Sequence, residues 1–234
     1  MRMVMIAYLC GVLFLADVFA SSSVEIPKQR YAAPTSFDAF RFTNPADEIT
    51  MARSAAPAEV SNDSDVLTLG SHGYEIAVKG KNGFVCLVER SWANSFNKPE
   101  FWNPKMRSPL CMNAAAVSSV LPAYLERTRW VLANVSKAEM ETRTIAAIKN
   151  HAIEEPLPGS MSYMMSKQGY LNDDALHWHP HVMFFMPRTD HSAWGAVAPG
   201  GPVFADDDES LPITIFFVLA PKWSDGSSAF PENH

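Results

Sequence analysis

The chain has 234 residues and a formal net charge of −6, with Lys+Arg 19 against Asp+Glu 25. A mildly acidic chain without a basic block is a poor partner for nucleic acid, whose affinity is built from Lys and Arg meeting phosphates. Beyond residue 20 no apolar run approaches the about 20 residues that a helix needs to cross a bilayer.

The first residues, "MRMVMIAYLCGVLFLADVFASSS", place Arg2 before an apolar run from Met3 to Ala16, followed by Val18-Phe19-Ala20 and Ser21. This layout predicts a secretory signal peptide over residues 1–20, cut after Ala20. An uncleaved anchor or a buried N-terminal strand is the alternative. A lipoprotein leader is opposed by Cys10, which sits inside the apolar run. Cleavage would remove Arg2 and Asp17 together, leaving the charge unchanged and one domain's worth of exported chain, in the periplasm or the medium. Residues 21–65 read as a loosely structured N-terminal arm, either lying against the domain or forming a partly disordered lead-in. It contains one short helix, with Asn44 as cap and Pro45 at the first helical position.

The compact part is expected over residues 66–234 as a single domain. The runs Ile76–Val78 and Phe84–Val88, joined by Gly80-Lys81-Asn82-Gly83, predict a β-hairpin, because Asn and Gly tolerate the positive φ of tight turns. Cys86 and Cys111 are the cysteines beyond the leader. In an oxidising compartment they are expected to form a disulfide. Two buried thiols, or one thiolate beside a His, are the alternatives. The segment between them has no sustained period and carries Trp92, Phe96, Phe101 and Trp102, which either line a ligand groove or plug the core beneath a long loop.

Leu121, Tyr124, Leu125, Thr128 and Leu132 fall at helical spacing, with Glu126 and Arg127 off that stripe. "SKAE" at Ser136 to Glu139 is a capping box that opens a second helix, with Met140, Ala147 and Ile148 inward. The short connection predicts a helical hairpin. "GSMSYMMS", "HVMFFM" and "ITIFFVL" read as strands, the last two buried on both faces or covered by helices. This order predicts an α+β fold: a mainly antiparallel sheet with a two-helix hairpin packed on one face.

"SAAPAEV", "GYEIAVKGKNGFVCLVERSW", "PGSMSYMMSKQGYLN" and "HWHPHVMFF", in this order between about Ser54 and Trp223, resemble a family of uncharacterised exported bacterial proteins. The resemblance implies bacterial export and a single domain. It brings no established activity, cofactor or catalytic residue.

The motif with most chemical content is "HWHPH". In extended chain His177, His179 and His181 project from one side about 7 Å apart, and Pro180 favours that conformation at His179. Such a pair can share a metal, with His72, His191, Asp173, Asp174 or Glu75 completing the set for Zn, Fe or Cu. The metal would then activate water or dioxygen. The plainer alternative is a loop entering a strand, with His177 and His179 on the surface and His181 at the strand mouth. A cupin-like site lacks its Glu. Ser95 and Lys98 match S-x-x-K without its companion motifs. "DDDES" at Asp206 to Ser210 lacks the spaced ligands of a calcium loop. The methionines of "MSYMM" with Met183 and Met186 read as core filler before copper ligands. No complete catalytic constellation is visible, so the favoured function is a non-catalytic binding or interaction domain, using the loop Trp92–Trp102 or the strand ends near His177. A metal-binding protein or metal-dependent enzyme centred on His177, His179 and His181 is the alternative.

Overall fold

The computed structural model describes residues 31–197 and 200–230. The expected leader, residues 1–20, lies outside the described residues, as do the first ten positions of the arm. The fold is α+β. Eight strands form a single mixed, mostly antiparallel sheet in the order β2-β1-β3-β4-β5-β6-β8-β7. They are β1 (Asp65–Gly70), β2 (Gly73–Val78), β3 (Val85–Glu89), β4 (Ser108–Met112), β5 (Met161–Met164), β6 (His181–Pro187), β7 (Val203–Asp207) and β8 (Ile213–Leu219). The helices are α1 (Pro45–Arg53), α2 (Ala58–Ser61), α3 (Ala114–Ser119), α4 (Leu121–Leu132) and α5 (Lys137–Lys149).

The expected hairpin between Ile76–Val78 and Phe84–Val88 is not formed. β2 pairs antiparallel with β1 through the turn at Ser71-His72, and β3 lies on the other side of β1, parallel to it. The Gly-Lys-Asn-Gly stretch instead crosses the start of β1. Lys81 and Asn82 donate their backbone N–H groups to Asp63 O, and Gly80 N donates to Asp65 Oδ1 at 2.6 Å. A Cβ on Gly80 would lie 2.2 Å from Asp63 O. Glycine is required there for close backbone approach, a demand a turn motif does not distinguish from its own.

Strand alternation divides the core between two faces. Cys86, Val88 and Cys111 point to one face, where Ala52, Ala55 and Ala56 from α1 and the turn after it meet them. α1 carries the anticipated cap, Asn44 Oδ1 accepting from Ala46 N at 3.2 Å, with Pro45 in the first turn. It packs on β3, β1 and β4, so this part of the arm lies against the domain. The other face carries Leu87, Leu110, Met112, Met183 and Phe185, which pack with Trp92, Tyr124 and Met140 into the larger cluster. Cys86 and Cys111 stand opposite each other in the β3–β4 ladder and are joined by a disulfide.

α4 leans on β2, where the Tyr74 and Tyr124 hydroxyls meet at 2.9 Å. Its buried stripe is Leu121, Tyr124, Arg127, Thr128 and Val131. Arg127 therefore faces inward, contrary to the reading that put it off the stripe. After residues 133–136 comes α5, capped by Ser136 Oγ accepting from Glu139 N. α5 buries Met140 and Thr144 and exposes most of its surface. β6 and β8 are less covered than their apolar sequences suggest: Phe184 is 40% exposed, because α1 reaches only as far as β4.

Candidate functional site

The sheet face opposite α1 is not completely filled. Between it, α4 and the segment 93–106 lies a cavity of about 770 Å³, within the range of about 300–1,000 Å³ usual for small-molecule sites. Its floor is built by alternate residues of neighbouring strands. Leu110 and Met112 come from β4, Met164 from β5, Met183 and Phe185 from β6, and Ile215 and Phe217 from β8. Their cross-strand register, Met164 opposite His181, Met183 opposite Phe217 and Phe185 opposite Ile215, puts them in rows on one face.

The four aromatics of the inter-cysteine segment are core plugs. Trp92, Phe96, Phe101 and Trp102 are all buried in the main cluster, and Trp92 Nε1 donates to Thr128 Oγ1 at 3.0 Å. They hold the segment in place while its smaller and polar residues, among them Ala93, Asn94 and Met106, face the cavity. Two links tie the tip to the β7–β8 turn: Phe96 N donates to Ser210 Oγ at 3.3 Å, and Asn97 Nδ2 donates to Glu209 Oε2.

Two ionisable groups reach the cavity from its walls. Glu89 ends β3 opposite Ser108. It is half-buried, and its accessible part faces the cavity, enclosed by protein; burial pushes its carboxyl up to about 8, against the nearby Arg127 guanidinium, which lowers it. Arg127 is 3% exposed. Its Nη1 donates to Asn94 O at 3.1 Å and more distantly to the carbonyls of Trp92 and Ala93, while its buried Nη2 has no partner. Its Cζ lies 4.6 Å from the centre of the Phe96 ring.

The histidine motif borders the same cavity without converging. His181 is buried at the mouth of β6, and Nδ1 donates to His179 O at 2.7 Å, a contact in which the carbonyl can only accept. Burial holds its pKa below the ordinary value. His177 and His179 are exposed. Each ring meets a different aromatic neighbour: His177 meets Trp223, His179 stacks near Phe230, and His181 packs on Phe217 and Trp178. The expected shared metal set is thus not assembled; among the described residues no three His, Cys, Asp or Glu side chains form a group able to hold an ion. Asp173 belongs to another cluster, accepting from Tyr31 Oη, Lys105 Nζ and Tyr170 Oη. Trp178, His179 and His181 all reach the cavity wall.

Glu89 and Arg127 were missed in the sequence. Glu89 had one available signal, an acid closing an apolar strand. Arg127 occupies the third place of the stripe 121-124-127-128-131, a pattern hidden by the competing leucine at 132. Among the described residues no helix is long and apolar enough to cross a membrane. No family model, curated protein or solved structure matches this chain.

Proposed function

We propose that this is an exported bacterial binding protein, working without catalysis in the periplasm or medium, that encloses one small and mainly apolar molecule between its sheet and the segment 93–106. The observation that carries the reading is the cavity: a floor of Leu, Met, Ile and Phe side chains with polar and charged groups at its walls and rim, a combination by which pockets join affinity to orientation. The two regions expected to bind, the inter-cysteine segment and the strand ends near His177, both border this one space. The Cys86–Cys111 bridge supports an oxidising location, in keeping with the leader expected over residues 1–20.

The test is titration of the purified chain with an environment-sensitive apolar fluorophore, beside Met183→Trp, which fills the floor. Saturable binding by the parent at one site, lost in a variant that keeps its circular dichroism, is expected. Absence of saturable binding by the parent, or unchanged binding by the filled variant, would overturn the reading.

A further inference from the structure

Resting on that reading, the next question is what polar group the ligand carries, and Glu89 and Arg127 bear on it directly. Both reach the cavity, yet among the described residues they form no ion pair with each other, and the Glu89 carboxyl has no hydrogen-bond partner. Arg127 Nη2 is likewise buried and unpartnered. A buried donor left unmade costs about 1–3 kcal/mol. An occupant that answers Nη2 relieves that cost, and the Glu89 carboxyl offers it a second contact.

We propose that the cavity binds an apolar monocarboxylic acid, its carboxylate placed between Arg127 and Glu89 and its hydrocarbon body lying on Leu110, Met183, Phe185 and Phe217. One carboxylate oxygen accepts from Arg127 Nη2, which is closed off from the free space of the cavity and must turn toward it on binding. The other accepts from the O–H of Glu89 in its acid form. The guanidinium and the ligand then cancel in charge, and Glu89 contributes a donor without adding a negative charge. An ammonium head would put a second cation beside Arg127, which stays protonated at any working pH. An alcohol could satisfy Nη2 but would add no negative charge to the one that Asp208 already brings near the guanidinium. Charge-assisted hydrogen bonds of this kind are roughly twice as strong as neutral ones.

Binding in this form needs Glu89 protonated, so it weakens as pH rises through the range where that carboxyl ionises. The other charged or titratable groups around the cavity are Tyr124 and Arg127 from α4, Lys98 and Glu100 from the covering segment, His179 and His181 at the start of β6, and Asp206 and Asp208 at and after the end of β7. Of these, Arg127 acts to lower the Glu89 pKa and burial outweighs it. Burial also keeps Tyr124 protonated and favours neutral His181. Lys98 and Asp206 are exposed at the rim, where water screens them.

The experiment is isothermal titration of the whole mature chain with dodecanoate, 1-dodecanol and dodecylamine, below their aggregation limits, at pH 6.5 and pH 9. Dodecanoate is expected to bind at least about tenfold tighter than the alcohol at pH 6.5, the equivalent of one charge-assisted hydrogen bond. That preference should shrink at pH 9. In Glu89→Gln, whose amide N–H₂ keeps a donor without titrating, the preference should persist at both pH values. Arg127→Lys should lower it, and the Glu89→Gln result stands even if that variant folds poorly. Equal or tighter binding of the alcohol or amine would overturn the carboxylate assignment while leaving the apolar cavity reading intact. Failure of all three probes would overturn the cavity reading itself. Carboxylate preference with no pH dependence, unchanged in Glu89→Gln, would remove Glu89 from the site and overturn the proposal as drawn.

Discussion

Glu48 Oε1 accepts a hydrogen bond from Arg90 Nη2 at 2.7 Å, with both side chains withdrawn from solvent. The same oxygen accepts from Leu69 N, and Arg90 Nε donates to Phe40 O. Helix α1, strands β1 and β3 and the turn at Phe37–Phe40 therefore meet at one ion pair. Removing one member leaves the other charged and unpaired, which costs about 3–5 kcal/mol. Glu48→Ala is expected to lose that much in urea unfolding. Glu48→Gln should lose less, because it still accepts from Leu69 N.

Glu89 makes stability depend on pH. Burial raises its pKa to about 8, so the folded chain keeps a proton that the unfolded chain releases above the ordinary carboxylate range. Stability must then fall as pH rises from about 4.5 to 8 and level off beyond. Glu89→Gln removes this slope. Its gain over the parent should be absent at pH 4 and reach about 1–3 kcal/mol at pH 8, measured by denaturant midpoints at several pH values.

The disulfide closes a loop with a sequence separation of 25. In the chain-entropy description such a loop is worth about 3–4 kcal/mol. Cys86→Ala/Cys111→Ala is expected to unfold at correspondingly lower denaturant. Reductant should lower the parent by a similar amount and leave the double variant unmoved.

At Gly80 the obstacle to a side chain is backbone, which cannot rotate away. Gly80→Ala must push apart the crossing segment and the start of β1, with an expected loss of about 1–3 kcal/mol or more, as for other overpacking. Gly159 has nothing within 4 Å of its Cβ position, but its φ of +81° disfavours a side chain. Gly159→Ala should therefore cost only about 1 kcal/mol, a backbone penalty alone. Thermal denaturation of the two separates crowding from conformational strain.

His177 and His179 are exposed and face separate aromatic neighbours. His177→Ala/His179→Ala is expected to change stability by no more than about 0.5 kcal/mol per site. Elemental analysis should give the same metal content in parent and variant. One equivalent of Zn, Fe or Cu that disappears in the variant would restore the metal reading.

The parts of this fold that could be read from the sequence are those decided by short-range chemistry. The caps at Asn44 and Ser136 and the strands at "HVMFF" and "ITIFFVL" depend on neighbours a few residues away, and they formed as expected. Strand β4 was hidden because Pro109 interrupts its apolar run; its pairing with β3 comes from partners 19 to 27 positions distant. The order of β1, β2 and β3 was misread for a similar reason, since one glycine-rich stretch serves a turn and a crossing equally well. The site was least legible. A cavity is a mismatch between surfaces from separate strands, and no local pattern encodes it. Arg127 shows the difficulty in one residue: its burial depends on the carbonyls of Trp92, Ala93 and Asn94 waiting to receive it.

The covering segment leaves β3 at Glu89 and rejoins β4 at Ser108, which stand opposite each other in a ladder that the disulfide locks three pairs further on. In the binding reading this makes the segment a tethered flap, able to lift but not to spread its feet. The contacts that must part for a ligand to exchange are at its tip, from Phe96 N to Ser210 Oγ and from Asn97 to Glu209. The groups that hold the ligand lie elsewhere, on the floor and at Glu89 and Arg127. Ser210 touches the tip and not the cavity, so in that reading a change there would speed capture and release together, whereas a change at Arg127, which also binds the carbonyls of the segment, would alter affinity and exchange alike.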